Sequence, residues 1–156
     1  MSINILATPF NPWQTLAEHE TGMRAGSVGA CANFVGTMRD FNEGDDVIGM
    51  TLEHYEGMTE KQLQSIVDRA AEKWSLIDTL IVHRVGEIKP GEPIVLTAVW
   101  SAHRADAFEA CRYLMESLKS EATFWKKEHL KDHSERWVAS NTPGYTESTT
   151  QNRKPS

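Results

Sequence analysis

Basic side chains mark both ends of one amphipathic segment of this chain. Residues 101–128, SAHRADAFEACRYLMESLKSEATFWKKE, begin with His103 and Arg104 and carry Lys119 where the amphipathic pattern ends. Backbone amides at the start of a helix favour anions such as phosphate. Arginine adds a two-pronged donor, and histidine adds a donor whose charge changes near neutral pH. These residue types therefore predict an anion-binding site.

A helical wheel places Arg104 inside the apolar arc, close in angle to Cys111 and Met115, and places Lys119 near the edge of that arc. A cation at a helix start is unfavourable by about 0.3–1 kcal/mol, and a half-buried arginine without a partner costs more. Two interpretations stay open. Either Arg104 pairs with an acid or a carbonyl while Lys119 extends to water, or Arg104 and His103 bind an anionic ligand.

A second candidate segment is FVGTMRD, residues 34–40. Gly36 permits a close backbone approach or a positive φ angle. Thr37 and Met38 can offer main-chain amides, and Arg39 offers another guanidinium. The segment is therefore another candidate anion site.

Composition restricts the class of protein. The 156 residues suit one domain, and 40% hydrophobic with 24% charged residues is typical of a soluble globular protein. The net charge of −6 argues against a nucleic-acid binder. We find no signal-peptide pattern and no apolar run of the roughly 18 residues that a membrane helix needs. We expect a cytoplasmic protein that needs no cofactor and no metal.

Periodicity and turn residues predict an α+β fold in one domain, residues 1–138. Strands are predicted at 3–10, 27–40, 47–55, 76–88 and 94–102, the last two as a hairpin, and helices at 13–22, 57–74 and from 101 onward. A polar loop is predicted at 41–46 and a solvated basic turn at FWKKE. Thr59 and Gln62 suggest a capping box. Residues 139–156 are predicted to be a disordered tail, because they have almost no large apolar side chains.

The two cysteines allow a rival function. We expect Cys31 and Cys111 to be core thiols, but a transferase that uses Cys111 with His103 is an alternative. The doublet His83 and Arg84 lies within a predicted strand, so its members should face opposite sides and be structural.

Several blocks in order resemble the family of the large, catalytic subunit of molybdopterin synthase. They span roughly residues 28–138 and read GACANFVGTMRDFNEGDDV, LEHYEGMTEKQL, IVHRVGEIKPGEPIV, SAHRADAFEACRYLMESLK and FWKKE. The resemblance implies an α/β hammerhead-like fold with a small additional antiparallel β subdomain. One departure is Thr123, which stands where the family often has proline.

The resemblance also implies partners and a reaction. The family forms a homodimer, and each end takes one small ubiquitin-like sulfur carrier, which gives a heterotetramer. The carrier's C-terminal Gly-Gly tail ends in a thiocarboxylate. It supplies sulfur to cyclic pyranopterin monophosphate, which becomes molybdopterin. A non-catalytic adaptor that only binds a ubiquitin-like tail is a further alternative.

The resemblance assigns roles to residues of this chain. Lys119 and Lys126 are expected to be catalytic, with Lys119 nearest the carrier tail and Lys126 stabilising developing negative charge. The expected substrate-binding residues are Thr37, Met38, Arg39, His103, Arg104, Lys127 and Glu128. No metal ligand is implied.

Overall fold

The computed structural model describes residues 1–138, so the predicted tail lies outside the described part of the chain. Within residues 1–138 there are three helices and nine strands, which confirms the α+β class. The elements are β1 (Ser2–Leu6), α1 (Pro12–Glu20), β2 (Ala30–Thr37), β3 (Phe41–Asn42), β4 (Asp45–His54), α2 (Met58–Lys73), β5 (Leu76–Arg84), β6 (Gly86–Ile88), β7 (Pro93–Ser101), α3 (Arg104–Glu121), β8 (Phe124–Leu130) and β9 (Glu135–Trp137). None of these three helices is both long and apolar enough to cross a membrane.

The first sheet has the strand order β1-β5-β7-β2 and supports all three helices. The β1–β5 pair is parallel, and β5 pairs antiparallel with β7 as predicted. The single strand predicted at 76–88 is divided, because β6 pairs with β4 in the second sheet. One face packs with α2 and α3 through a cluster that includes Leu63, Ile81 and Leu114. The other face buries Leu80 and Trp100 near α1. Both faces of the central strands are therefore covered, which explains their continuous apolar runs.

The second sheet is antiparallel and forms a smaller layer with its own core. Its order is β3-β4-β8-β9, with β6 also paired to β4. The predicted loop at 41–46 is wrong, because these residues form the β3–β4 hairpin. Glu43 and Gly44 have φ angles of 52° and 84° at its two-residue turn, the signature of a type I′ hairpin. The FWKKE segment is strand β8, paired with β4, rather than a basic turn.

The predicted capping box at Thr59 and Gln62 is also wrong. Gly57 precedes α2, and its amide donates to the Glu60 carboxylate at 2.6 Å. Thr59 is fully buried, and its hydroxyl donates to the Thr123 carbonyl at 2.9 Å. The Thr123 amide donates to Gln62 Oε1 at 2.8 Å. Both residues therefore hold the link between α3 and β8.

Replacing Thr59 by Val tests this link. The change keeps the shape of the side chain but leaves the part-buried Thr123 carbonyl without its donor and the Tyr55 amide without its acceptor. We expect a loss of about 1–3 kcal/mol in the free energy of unfolding, measured by urea denaturation. The control Thr21→Val changes an exposed hydroxyl that donates to the Glu18 carbonyl and should cost less than about 0.5 kcal/mol. Equal effects of the two changes would contradict a structural role for Thr59.

Candidate active site

A cavity of about 300 Å³ opens where the two sheets meet. Lys119 comes from the last turn of α3 and Lys126 from the third position of β8, and both line it. Six of the predicted site residues line this one cavity: Thr37, Met38, Arg39, Lys119, Lys126 and Glu128. Segments far apart in sequence therefore converge on one pocket.

The Arg39 wall is fixed by backbone contacts. The Met38 amide donates to the Glu92 carbonyl at 3.0 Å, and the Gly91 amide donates to the Met38 carbonyl at 2.9 Å. Gly36 is required by close approach, because a Cβ there would lie 2.8 Å from Val95 Cγ1. These contacts leave Arg39 exposed at the cavity, with its guanidinium 5.0 Å from the centre of the Phe41 ring.

The two lysines have lowered pKa values. Burial lowers the pKa of Lys119, and the charge of Lys126 lowers it further. Burial also lowers the pKa of Lys126; Glu128 opposes this shift, whereas Arg39 adds to it. The Lys119 side chain is exposed to water, yet many protein atoms surround its ammonium group. A side chain on the wall of a concave pocket meets both conditions. A larger share of neutral amine than in an ordinary lysine makes these groups suited to proton transfer.

Glu128 places one carboxylate among these cations. It is 3% exposed and accepts from Asn42 Nδ2 at 2.5 Å and from Arg136 Nη2 at 3.3 Å. Arg136 also donates to the Asn42 carbonyl and to Asp45. The buried carboxylate is thus satisfied by neighbours. Sequence reasoning missed Asn42 and Arg136. They approach Glu128 only because β3, β4, β8 and β9 lie side by side in one sheet, and no pattern in the sequence indicates that pairing.

Lys127 does not line the cavity, so its predicted place in the substrate wall is not supported. Successive side chains on a strand point to opposite faces, and Lys127 follows Lys126 on β8. Its ammonium lies 3.2 Å from a carboxylate oxygen of Glu135 and 5.0 Å from the centre of the Trp137 ring. The sequence prediction treated this segment as a turn, so it did not allow for this alternation.

His103 and Arg104 also lie away from this cavity. His103 precedes the first turn of α3, and both residues are exposed. Arg104 is therefore not part of the buried arc as predicted, because burial along α3 begins only at Ala107. At 1.5 Å per residue, Lys119 lies about 22 Å further along the helix. Within one chain these two residues cannot contact the same small ligand as Lys119.

The cysteines do not form a catalytic pair with His103. Cys31 is exposed, so its predicted core position is wrong: it lies on β2, the edge strand of its sheet. Cys111 is buried as predicted, with its sulfur 3.7 Å from the Thr97 hydroxyl. Burial raises the pKa of Cys111, which makes its thiol a poor nucleophile. The Cys111 alternative therefore gains no support.

Comparison with known proteins identifies the family. The family model described as MoaE protein matches residues 8–121. The molybdopterin synthase catalytic subunit of Pseudomonas aeruginosa is 47% identical over 88% of this chain and 90% of that protein. This chain belongs to the MoaE family. The catalytic subunit from Ralstonia nicotianae is 55% identical over 74% of this chain and 66% of that protein. The predicted enzyme class, molybdopterin synthase of molybdenum cofactor biosynthesis, is confirmed at this level.

Solved structures agree with the MoaE fold. The molybdopterin biosynthesis MoaE protein from Burkholderia ambifaria is 44% identical, with a TM-score of 0.74 over 92% of this chain and 93% of that chain. A more distant structure shares the fold at 19% identity, with a TM-score of 0.74 over 88% of this chain and 90% of that chain. It is a complex of subunits 1 and 2 of the molybdopterin-converting factor from Helicobacter pylori.

Replacing Lys126 by Met tests the electrostatics of this MoaE-family site. The folded state lowers the pKa of Lys126, so between the folded and unfolded pKa values the unfolded chain binds more protons and stability rises with pH. At pH 7 the charged lysine opposes folding, and Lys126→Met should increase the free energy of unfolding. That gain should shrink as the pH approaches 10. Urea denaturation at both pH values measures it.

Lys127→Met is the matched control on the same strand. This change removes the contact with Glu135 and no repulsive contact in the cavity, so it should give no gain at pH 7. A gain as large as that of Lys126→Met, or a Lys126→Met gain that grows with pH, would show that the cavity does not disfavour the ammonium group.

Proposed function

We propose that this chain transfers sulfur to cyclic pyranopterin monophosphate from the C-terminal thiocarboxylate of a small ubiquitin-like carrier. The observation that carries the proposal is the convergence of Lys119, Lys126 and Arg39 on one cavity, where both lysines have lowered pKa values. A substrate phosphate and a thiocarboxylate are both anions. At 4 Å in a medium of dielectric constant 20, two such charges repel by about 4 kcal/mol. Cations that line the cavity offset this repulsion.

Each lysine has a distinct task in this proposal. The carrier sulfur attacks a carbon of the pterin, and Lys119 neutralises the incoming tail and moves protons. Lys126, with Arg39 beside it, stabilises negative charge that develops as the acyl group departs. Thr37 and Met38 form the adjoining wall, and Glu128 limits the net positive charge.

The carrier as partner is supported by the Helicobacter pylori relative, which is a complex of two converting-factor subunits. By the family resemblance, two copies of this chain and two carriers form a heterotetramer with a hammerhead-like catalytic core. Cys31 and Cys111 are free thiols, which fits the reducing cytoplasm as the compartment.

The positions of His103 and Arg104 add a condition to this proposal. They are exposed at the start of α3, about 22 Å along the helix from Lys119. If they bind the substrate phosphate, they do so in the site of the second copy of the homodimer. Two-fold symmetry then gives two equivalent sites, each built from both copies.

A subunit-mixing experiment tests this condition. Lys119→Ala and Arg104→Ala are each expected to be inactive. After subunit exchange, a heterodimer with shared sites has one site with both changes and one unchanged site. When equal amounts mix at random, about half of the symmetric dimers contain one chain of each variant. One of the two sites in each of these dimers is unchanged, so up to about a quarter of wild-type activity should return. If Arg104 served its own chain, every site would carry one change and the mixture would stay inactive.

The main test mixes the chain with thiocarboxylated carrier and the cyclic pterin, and detects the dithiolene product by mass spectrometry. Lys119→Ala should fold normally and lose nearly all product, whereas Lys61→Ala, an exposed lysine on α2, should turn over like wild type. Wild-type turnover by Lys119→Ala would remove Lys119 from the mechanism. Carrier binding without any conversion by the wild-type chain would favour the adaptor alternative.

A further inference from the structure

A smaller cavity of about 60 Å³ lies behind the two lysines. Lys119 and Lys126 line both this cavity and the larger one, so the two adjoin. Its remaining walls are mostly apolar: Met50, Leu52, Ile94, Leu118, Ala122 and Phe124. His83 is the further polar side chain that lines it. The reaction roles proposed above make no use of this histidine.

The position and tautomer of His83 are fixed by two contacts. Its ring is stacked on Phe124, with the ring centres 3.9 Å apart and the planes 11° apart. Its Nδ1 lies 2.8 Å from the Arg84 carbonyl oxygen, which can only accept, so Nδ1 carries the proton. In the neutral ring Nε2 then has a free lone pair. Burial lowers the pKa of His83 to about 4. The hydrogen bond to the Arg84 carbonyl opposes this shift, whereas the charges of Lys119 and His54 add to it. The ring is therefore neutral at pH 7.

The small cavity has the size and the polar groups of a water site. One water molecule occupies about 30 Å³ of liquid volume and needs two to four polar partners. The cavity volume matches about two waters by this measure. His83 Nε2 can accept from a water, and the two lysine nitrogens can contribute further hydrogen bonds. A wholly apolar cavity of this size would offer no such partners.

We propose that this cavity holds the water that releases the carrier after sulfur transfer, and that His83 is a positioning residue that orients this water. The inference rests on the proposed function. The carrier sulfur bonds to an electrophilic pterin carbon as a carbon–oxygen bond of that carbon breaks and its electron pair stays on the oxygen. The product is a thioester that joins carrier and pterin. The water oxygen bonds to the acyl carbon, the carbon–sulfur bond breaks, and its electron pair stays on the pterin sulfur. One water proton passes to the Lys119 amine, and the second is lost when the new carboxylic acid ionises.

A rapid-quench single-turnover experiment tests the water site, with wild type and His83→Leu each mixed with thiocarboxylated carrier and cyclic pterin. Intact-mass measurement follows the carrier–pterin adduct and the free carrier. His83→Leu should form the adduct at the wild-type rate and release the carrier at least tenfold more slowly, so that the adduct accumulates. His83→Gln, whose amide oxygen can accept from water, should recover part of the release rate.

Ala122→Val provides a second variant that keeps His83. Ala122 has an extended backbone (φ −78°, ψ 135°), which a β-branched residue adopts readily, and its two added methyl groups would occupy the water position. It should accumulate the same adduct, and it decides the question if His83→Leu does not fold by circular dichroism. Release at the wild-type rate in the folded variants, or slower adduct formation instead of slower release, would overturn the water site. Absence of both adduct and dithiolene with the wild-type chain would instead refute the proposed function.

Discussion

Two ammonium groups that repel each other are held in one cavity, and the rest of the fold makes this possible. Lys119 is fixed by α3, whose buried face packs on the first sheet. Lys126 is fixed by β8, which pairs with β4 so that Lys126 lies opposite Leu52. Neither element can move away without loss of its own buried contacts. The unfavourable proximity of the lysines therefore persists, and it lowers the pKa of Lys119 in addition to the effect of burial.

Local charge in this molecule is opposite in sign to its total charge. The chain carries a net charge of −6. Among the described residues, however, the cavity is lined by Arg39, Lys119 and Lys126 with Glu128 as the single acid. Arg136 and Asn42 bind that acid from the side of β9 and β3. Since a buried carboxylate is costly without partners, these two residues stabilise Glu128 in place. The cavity thus keeps an excess of positive charge at the position where anionic reactants are proposed to meet.

The sequence predicted the long elements well because their apolar periodicity is strong. The α2 pattern of Leu63, Ile66, Val67 and Ala70 corresponds to its buried face. The sequence could not predict β8, because FWKKE is short and becomes a strand only by pairing with β4. The prediction of a turn there also took no account of strand pleating, which turns Lys127 away from its neighbour Lys126. The helical wheel placed Arg104 in the apolar arc and so in the interior. This was wrong because a wheel shows only the angle of a residue and not where burial begins along the helix axis.

The cavity also depends on a contact that involves no charge. The family often has proline in place of Thr123. A proline ring there would fix φ and exclude helical geometry from the preceding residue. Thr123 has neither constraint, and here its amide and carbonyl are both bonded to the first turns of α2, through Gln62 and Thr59. A proline has no amide proton and could keep only the bond from Thr59. In this chain the transition from α3 to β8, and with it the spacing of Lys119 and Lys126, is therefore held by tertiary hydrogen bonds from α2 in place of a ring within the link itself.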